Sequence, residues 1–144
     1  MTLRKFIVIV LAGTVVSGGF GYLQTYGFGS VFAASSQDAY ATIQAESYNT
    51  GSGISKKTTY IASLDRYDWV RYDNVDFGAY GATGVTFHIG VPAGAGGRKV
   101  YVRLDSRSAT PIGTLTTVST GSITVFNAQS VPVSDSAGNP AIQR

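Results

Sequence analysis

Val85-Thr86-Phe87-His88-Ile89-Gly90-Val91 and Lys99-Val100-Tyr101-Val102-Arg103-Leu104-Asp105 alternate apolar and polar residues along their whole length. A period of two belongs to strands buried on one face, so these stretches decide the fold. Working outward, residues 41–48, 58–64, 68–75, 112–118 and 123–133 read as further strand runs. Turn clusters separate them: Asn49-Thr50-Gly51-Ser52-Gly53, Gly78-Ala79-Tyr80-Gly81-Ala82 and Pro92-Ala93-Gly94-Ala95-Gly96-Gly97. No window beyond Ala34 supports a helix longer than a turn or two. Short strands with glycine-rich turns predict an all-β protein, an antiparallel β-sandwich of jelly-roll topology. Alternation also sorts side chains by face. Val70, Tyr72, Val85, Phe87, Ile89, Val100, Val102 and Leu104 fall on the apolar sides and form the expected core. Trp69, Arg71, His88, Tyr101 and Arg103 fall on the opposite sides.

Charge divides the 144 residues into two objects. Arg4 and Lys5 open the chain, no further charged residue occurs before Asp38, and all 8 acidic residues lie from Asp38 onward. Arg4-Lys5 followed by the apolar run of residues 6–16, with Val31-Phe32-Ala33 as small-residue cleavage signal, reads as a secretory signal peptide over residues 1–33. Residues 6–23 carry no charge, so an uncleaved membrane anchor is the alternative. Either reading puts the remainder outside the cytoplasm, secreted if cleaved and membrane-attached only if not. Residues 34–39 then form a short linker, 40–134 the module and 135–144 a polar tail. Without the leader, 9 basic residues face 8 acidic ones, which excludes a nucleic-acid footprint. The chain has no cysteine, hence neither disulfides nor thiolate chemistry.

The inventory argues against catalysis. The one histidine sits mid-strand without a nucleophile motif. Asp65, Asp68, Asp73 and Asp76 read as turn formers or solvated charges rather than a glycosidase pair. Zinc spacings and phosphate loops are absent. The outward list points elsewhere. A face mixing Trp, Tyr, His and two Arg offers flat apolar rings beside oriented hydrogen-bond donors, which is the chemistry that recognises a sugar.

Several blocks carry a family resemblance: Ile43-Gln44-Ala45-Glu46-Ser47-Tyr48, Asp68-Trp69-Val70-Arg71-Tyr72-Asp73-Asn74-Val75-Asp76-Phe77-Gly78, Val102-Arg103-Leu104-Asp105-Ser106 and Ile112-Gly113-Thr114-Leu115. In this order they resemble the family 6 carbohydrate-binding modules. The resemblance implies a non-catalytic, calcium-stabilised jelly roll attached to a secreted glycoside hydrolase and binding xylan, β-glucan or agarose. It also implies two alternative sugar sites. One is a sheet face using the Trp of the DW block, here Trp69, which alternation independently turns outward. The other is a loop cleft, where Tyr60 or Tyr67 would supply one ring and Ile123 occupies the place of the usual second. The resemblance further implies that Glu46 holds a structural calcium. Gln44, two positions away in a run read as strand, shares its face, and a weak site is expected because a late acidic co-ligand is missing. The family's closing strands have no counterpart after Val133, so the expectation is a shortened module whose missing strands are lost or supplied by a neighbour.

Overall fold

The computed structural model describes residues 7–9, 36–78, 81–135 and 137–139. Its elements are β1 (Ile7–Ile9), β2 (Gln37–Asp38), a 3₁₀ turn (Ala45–Ser47), β3 (Thr50–Ser52), β4 (Ser55–Lys56), β5 (Ile61–Ala62), β6 (Trp69–Tyr72), β7 (Val75–Asp76), β8 (Gly84–Ile89), β9 (Lys99–Leu104), β10 (Gly113–Thr116) and β11 (Asn127–Pro132). The leader expected over residues 1–33 lies outside the described residues except for β1. Among the described residues no helix is long and apolar enough to cross a membrane.

One layer is a five-stranded sheet in the order β10-β9-β1-β6-β3, antiparallel throughout. The other layer holds the antiparallel pair β11-β8; β2-β7, parallel, and β4-β5, antiparallel, form two further separate pairs. The chain crosses between layers from β8 to β9 and again from β10 to β11. The two inner faces meet in one core containing Val70, Tyr72, Val100, Val102 and Leu115 from the first layer and Phe87, Ile89 and Val131 from the second. This is the expected β-sandwich, and the expected core is in place. Val85 and Leu104 are partly rather than fully buried.

Two local expectations are corrected. Residues 41–48 hold no strand; the 3₁₀ turn occupies their end and buries Ala45. Thr50–Ser52, read as part of a turn, is instead an edge strand on β6. Glycine at the centre of this segment is a poor strand former; β3 is held by its backbone pairing with β6, and the Thr50 hydroxyl accepts from Arg71 Nη2 at 3.5 Å.

A strap closes one end of the sandwich. Thr120 donates its backbone N–H to the Val91 carbonyl at 2.9 Å, and its hydroxyl accepts from the Val91 N–H at 2.8 Å. Pro92 and Gly121 form a parallel bridge beside them. The Ile123 carbonyl oxygen then lies 2.6 Å from where a Cβ on Gly90 would stand. Only a residue without a side chain admits the strap at that distance.

Tyr72 ties the 3₁₀ turn to the core by donating its hydroxyl to the Ala45 carbonyl at 2.7 Å. Burial, then the neighbouring Glu46 charge and Tyr48, push its phenol well above its ordinary value. A phenol whose folded pKa is raised stabilises fully below its unfolded pKa of about 10, and that contribution is lost as pH rises beyond it. We expect the urea midpoint to hold between pH 7 and pH 9 and fall above about pH 10. Tyr72→Phe should flatten that fall and cost roughly 1 kcal/mol at neutral pH. An alkaline slope unchanged in the variant would assign it to other groups.

Candidate functional site

The outer face of the five-stranded sheet is built by strand parity. Val70, Tyr72, Val100 and Val102 point into the core, so Trp69, Arg71, Tyr101 and Arg103 point away from it. Register then lays them in rows. Ser52 pairs Trp69 at one side of the sheet, and Tyr101 pairs Thr114 at the other. Thr50, Arg71, Val8 and Arg103 follow one another across the adjacent row.

Each polar member of this face is oriented. Arg71 donates from Nε to Asp73 Oδ1 at 2.7 Å and from Nη2 to Asp73 Oδ2 at 3.2 Å, a two-point grip that fixes the guanidinium plane. Arg103 lies over the Tyr101 ring, 5.4 Å from its centroid, and donates to the Ala109 carbonyl. At the end of β9, Asp105 adopts a left-handed backbone with φ 63°, and the chain turns back so that Ser106 N–H reaches the Leu104 carbonyl at 2.6 Å. This turn brings the guanidinium of Arg107 to 4.9 Å from the Trp69 ring centroid. Trp69, Arg71, Asp105, Ser106, Arg107 and Ser108 enclose an open cavity of about 390 Å³. The Trp69 indole Nε1 is buried beside it without a hydrogen-bond partner. The cavity thus combines an aromatic ring, a fixed guanidinium and two hydroxyls.

His88 does not belong to this group. It lies on β8 opposite Ala128, between the core residues Phe87 and Ile89, and is exposed on the outer side of the other layer. Period two gives the face of a strand but not its layer, and that corrects the expectation that His88 neighbours Trp69. Tyr60 and Tyr67 also stand apart. The Tyr60 ring packs on Phe126 at 6.1 Å with the planes tilted by 56°. Tyr67 is 80% exposed beneath the Arg66 guanidinium, and Ile123 is exposed on the strap. Phe126 and Arg107 are the residues that sequence reasoning missed. Phe126 falls in the run 123–133 read as strand, but β11 begins only at Asn127, and Arg107 sits in the turn after β9.

Gln44 and Glu46 do not share a strand face. Gln44 is extended (φ −67°, ψ 131°) and precedes the 3₁₀ turn that contains Glu46. Glu46 Oε2 is buried without a hydrogen-bond partner. A buried, unpaired carboxylate oxygen is a hard donor of the kind a calcium ion takes. Among the described residues no group of three or more His, Cys, Asp or Glu stands ready to hold a metal, so among those residues Glu46 would have at most one such side chain as co-ligand.

Comparison with known proteins bears on this site. The family model described as "Carbohydrate binding module (family 6)" matches residues 44–143. The chain is 34% identical over 109 residues to an endo-1,4-beta-xylanase A of Thermoclostridium stercorarium, covering 71% of this chain and 20% of that enzyme. It is 31% identical over 121 residues to an arabinoxylan arabinofuranohydrolase of Bacillus subtilis (strain 168), covering 77% of this chain and 23% of that enzyme. The chain therefore spans about a fifth of the length of these curated relatives. No solved structure matches.

Proposed function

The chain belongs to the family 6 carbohydrate-binding modules, which bind polysaccharide and are not catalysts, and from that membership we propose that it holds a xylan-class chain on the outer face of its five-stranded sheet. The observation that carries this reading is the open cavity in which Trp69 stands beside the Asp73-held guanidinium of Arg71. A pyranose stacked on the ring would displace Arg107 from it. Arg71, held by Asp73, and the Ser106 and Ser108 hydroxyls are the groups available to orient sugar hydroxyls. Arg103 and Tyr101 extend the surface toward the far side of the sheet. Xylan is chosen over β-glucan or agarose because both relatives named above act on xylan-type polymers by their names. The setting we propose is extracellular, with the module serving a glycoside hydrolase.

Trp69 is the only tryptophan in the chain, so its fluorescence reports this cavity alone. Titration with xylo-oligosaccharides should give a saturable change in Trp69 emission at the concentrations that elute the protein from insoluble xylan. Retention on xylan with unaltered emission would move the site to the loops around Tyr60 and Phe126. Failure of retention on every polysaccharide tested would leave the module without a ligand.

We further propose a weak calcium site at Glu46. Calcium would supply charge compensation for the buried carboxylate and a link between the 3₁₀ turn and its surroundings, with Gln44 the nearest side-chain amide in sequence. With so few charged ligands, chelation with EDTA should lower the melting temperature by only a few degrees, and Glu46→Gln should remove that dependence. A large loss on chelation that survives Glu46→Gln would place the ion elsewhere.

A further inference from the structure

β6 and β9 do not touch each other in the five-stranded sheet; β1 lies between them and pairs with both. The register is continuous: Val70–Ile9–Val102, Arg71–Val8–Arg103 and Tyr72–Ile7–Leu104. Two inter-strand spacings, about 9.5 Å in all, therefore separate β6 from β9. Both are central strands of the fold. Val70, Tyr72 and Val102 are among its most completely buried side chains. An empty gap would leave two rows of backbone N–H and C=O groups unpaired beside the core, which folded proteins avoid.

We propose that the gap between β6 and β9 is a strand-acceptor slot whose occupant is the chain's own segment Ile7–Ile9, so that the apolar N-terminal run is a structural strand of the module. Phe6-Ile7-Val8-Ile9-Val10 is uncharged and rich in β-branched residues, a composition that favours a strand. Positions 7 and 9 stand in register with residues that face the core, and position 8 with the two arginines of the outer face. The slot thus sets the two possible fates of the leader against each other: cutting after Ala33 would empty it. The occupant also supplies the position between Arg71 and Arg103, a consequence that rests on the polysaccharide reading of that face. The slot itself does not depend on that reading.

Because the chain lacks cysteine, a disulfide tests the pairing without background. Directly opposed antiparallel residues have Cα atoms about 4.5–5.5 Å apart, within the range a disulfide spans. The full-length chain carrying Val8→Cys and Arg103→Cys is refolded and oxidised, with Val8→Cys and Thr86→Cys as the control pair, since Thr86 lies on β8 in the other layer. The expected result is one intramolecular disulfide in the first variant, seen by non-reducing electrophoresis and peptide mass mapping, and none in the control. Free thiols in both would overturn the proposal. A disulfide-linked dimer would overturn it in favour of a strand donated by a second copy. Should the cysteine variant fail to fold, hydrogen exchange on the unmodified full-length chain decides. Amides of residues 7–9 should exchange roughly a hundredfold or more slowly than in a free peptide, and exchange at the free-peptide rate would refute the slot's occupancy. Neither readout involves sugar binding, so a failed slot and a failed polysaccharide site remain distinguishable.

Discussion

Replacing Trp69 by alanine should abolish retention on xylan while leaving a β-type circular dichroism spectrum. The ring is the one large aromatic surface of the cavity, and truncating a dominant stacking residue costs ~2 kcal/mol or more, roughly thirtyfold in affinity. The loss of melting temperature should be small, because Trp69 is half-buried on the outer face, with the exposed Arg107 guanidinium over its ring. Three companions sharpen the result. Arg71→Ala should weaken binding less than Trp69→Ala, since it removes a donor and not the platform. His88→Ala should leave retention unchanged, as it stands on the opposite side of the sandwich. Tyr60→Ala should reduce retention less than Trp69→Ala. The reverse order of Tyr60 and Trp69 would discard the sheet-face site and transfer it to the loop end.

The largest expected loss of stability comes from Gly90→Ala. Its new Cβ would meet the Ile123 carbonyl oxygen at 2.6 Å and the carbonyl carbon at 2.9 Å. These are backbone atoms, so no rotamer change relieves the clash. The strap must lift, and its bonds between Thr120 and Val91 go with it. Overpacking of this kind costs up to ~3 kcal/mol, or more where backbone must move, which for a domain of this size lowers the melting temperature by roughly 10 °C. Gly94→Ala is the matched control. It has no heavy atom within 4 Å of its Cβ position, although its φ of 75° adds some backbone strain. A Gly90 variant melting with the unmodified protein would show that the strap is loose in solution.

Period-two patterning located β6, β8 and β9 and the residues they bury, because a strand packed on one face writes its orientation into every second side chain. It failed where other forces shape the chain. Residues 41–48 mix apolar and polar groups well enough to pass for a strand, yet the 3₁₀ turn buries Ala45 and lets its carbonyl meet Tyr72. β3 was hidden by its turn-forming residues, since an edge strand needs only backbone. Trp69 and its sheet-face neighbours were legible from parity, whereas His88 shares their parity in the wrong layer. Arg107 was invisible because its position over Trp69 depends on the left-handed turn at Asp105. The pairing of β1 with both β6 and β9 was masked by the resemblance of its sequence to an export leader, which calls for the same apolar run for a different reason.

The cavity beside Trp69 has two kinds of wall. Trp69 and Arg71 stand on β6, whose alternate residues are committed to the core, while residues 105–108 belong to a turn whose side chains are exposed and lie outside the core. Selectivity can therefore drift separately from foldability. Exchanging or lengthening the 105–108 turn would reshape the space available to branches on a bound polymer, with the stacking platform and its supporting sheet left as they are. Descendants of such a module would diversify in the decorations they accept sooner than in the backbone they grip, and the same division tells an engineer which four positions to randomise first.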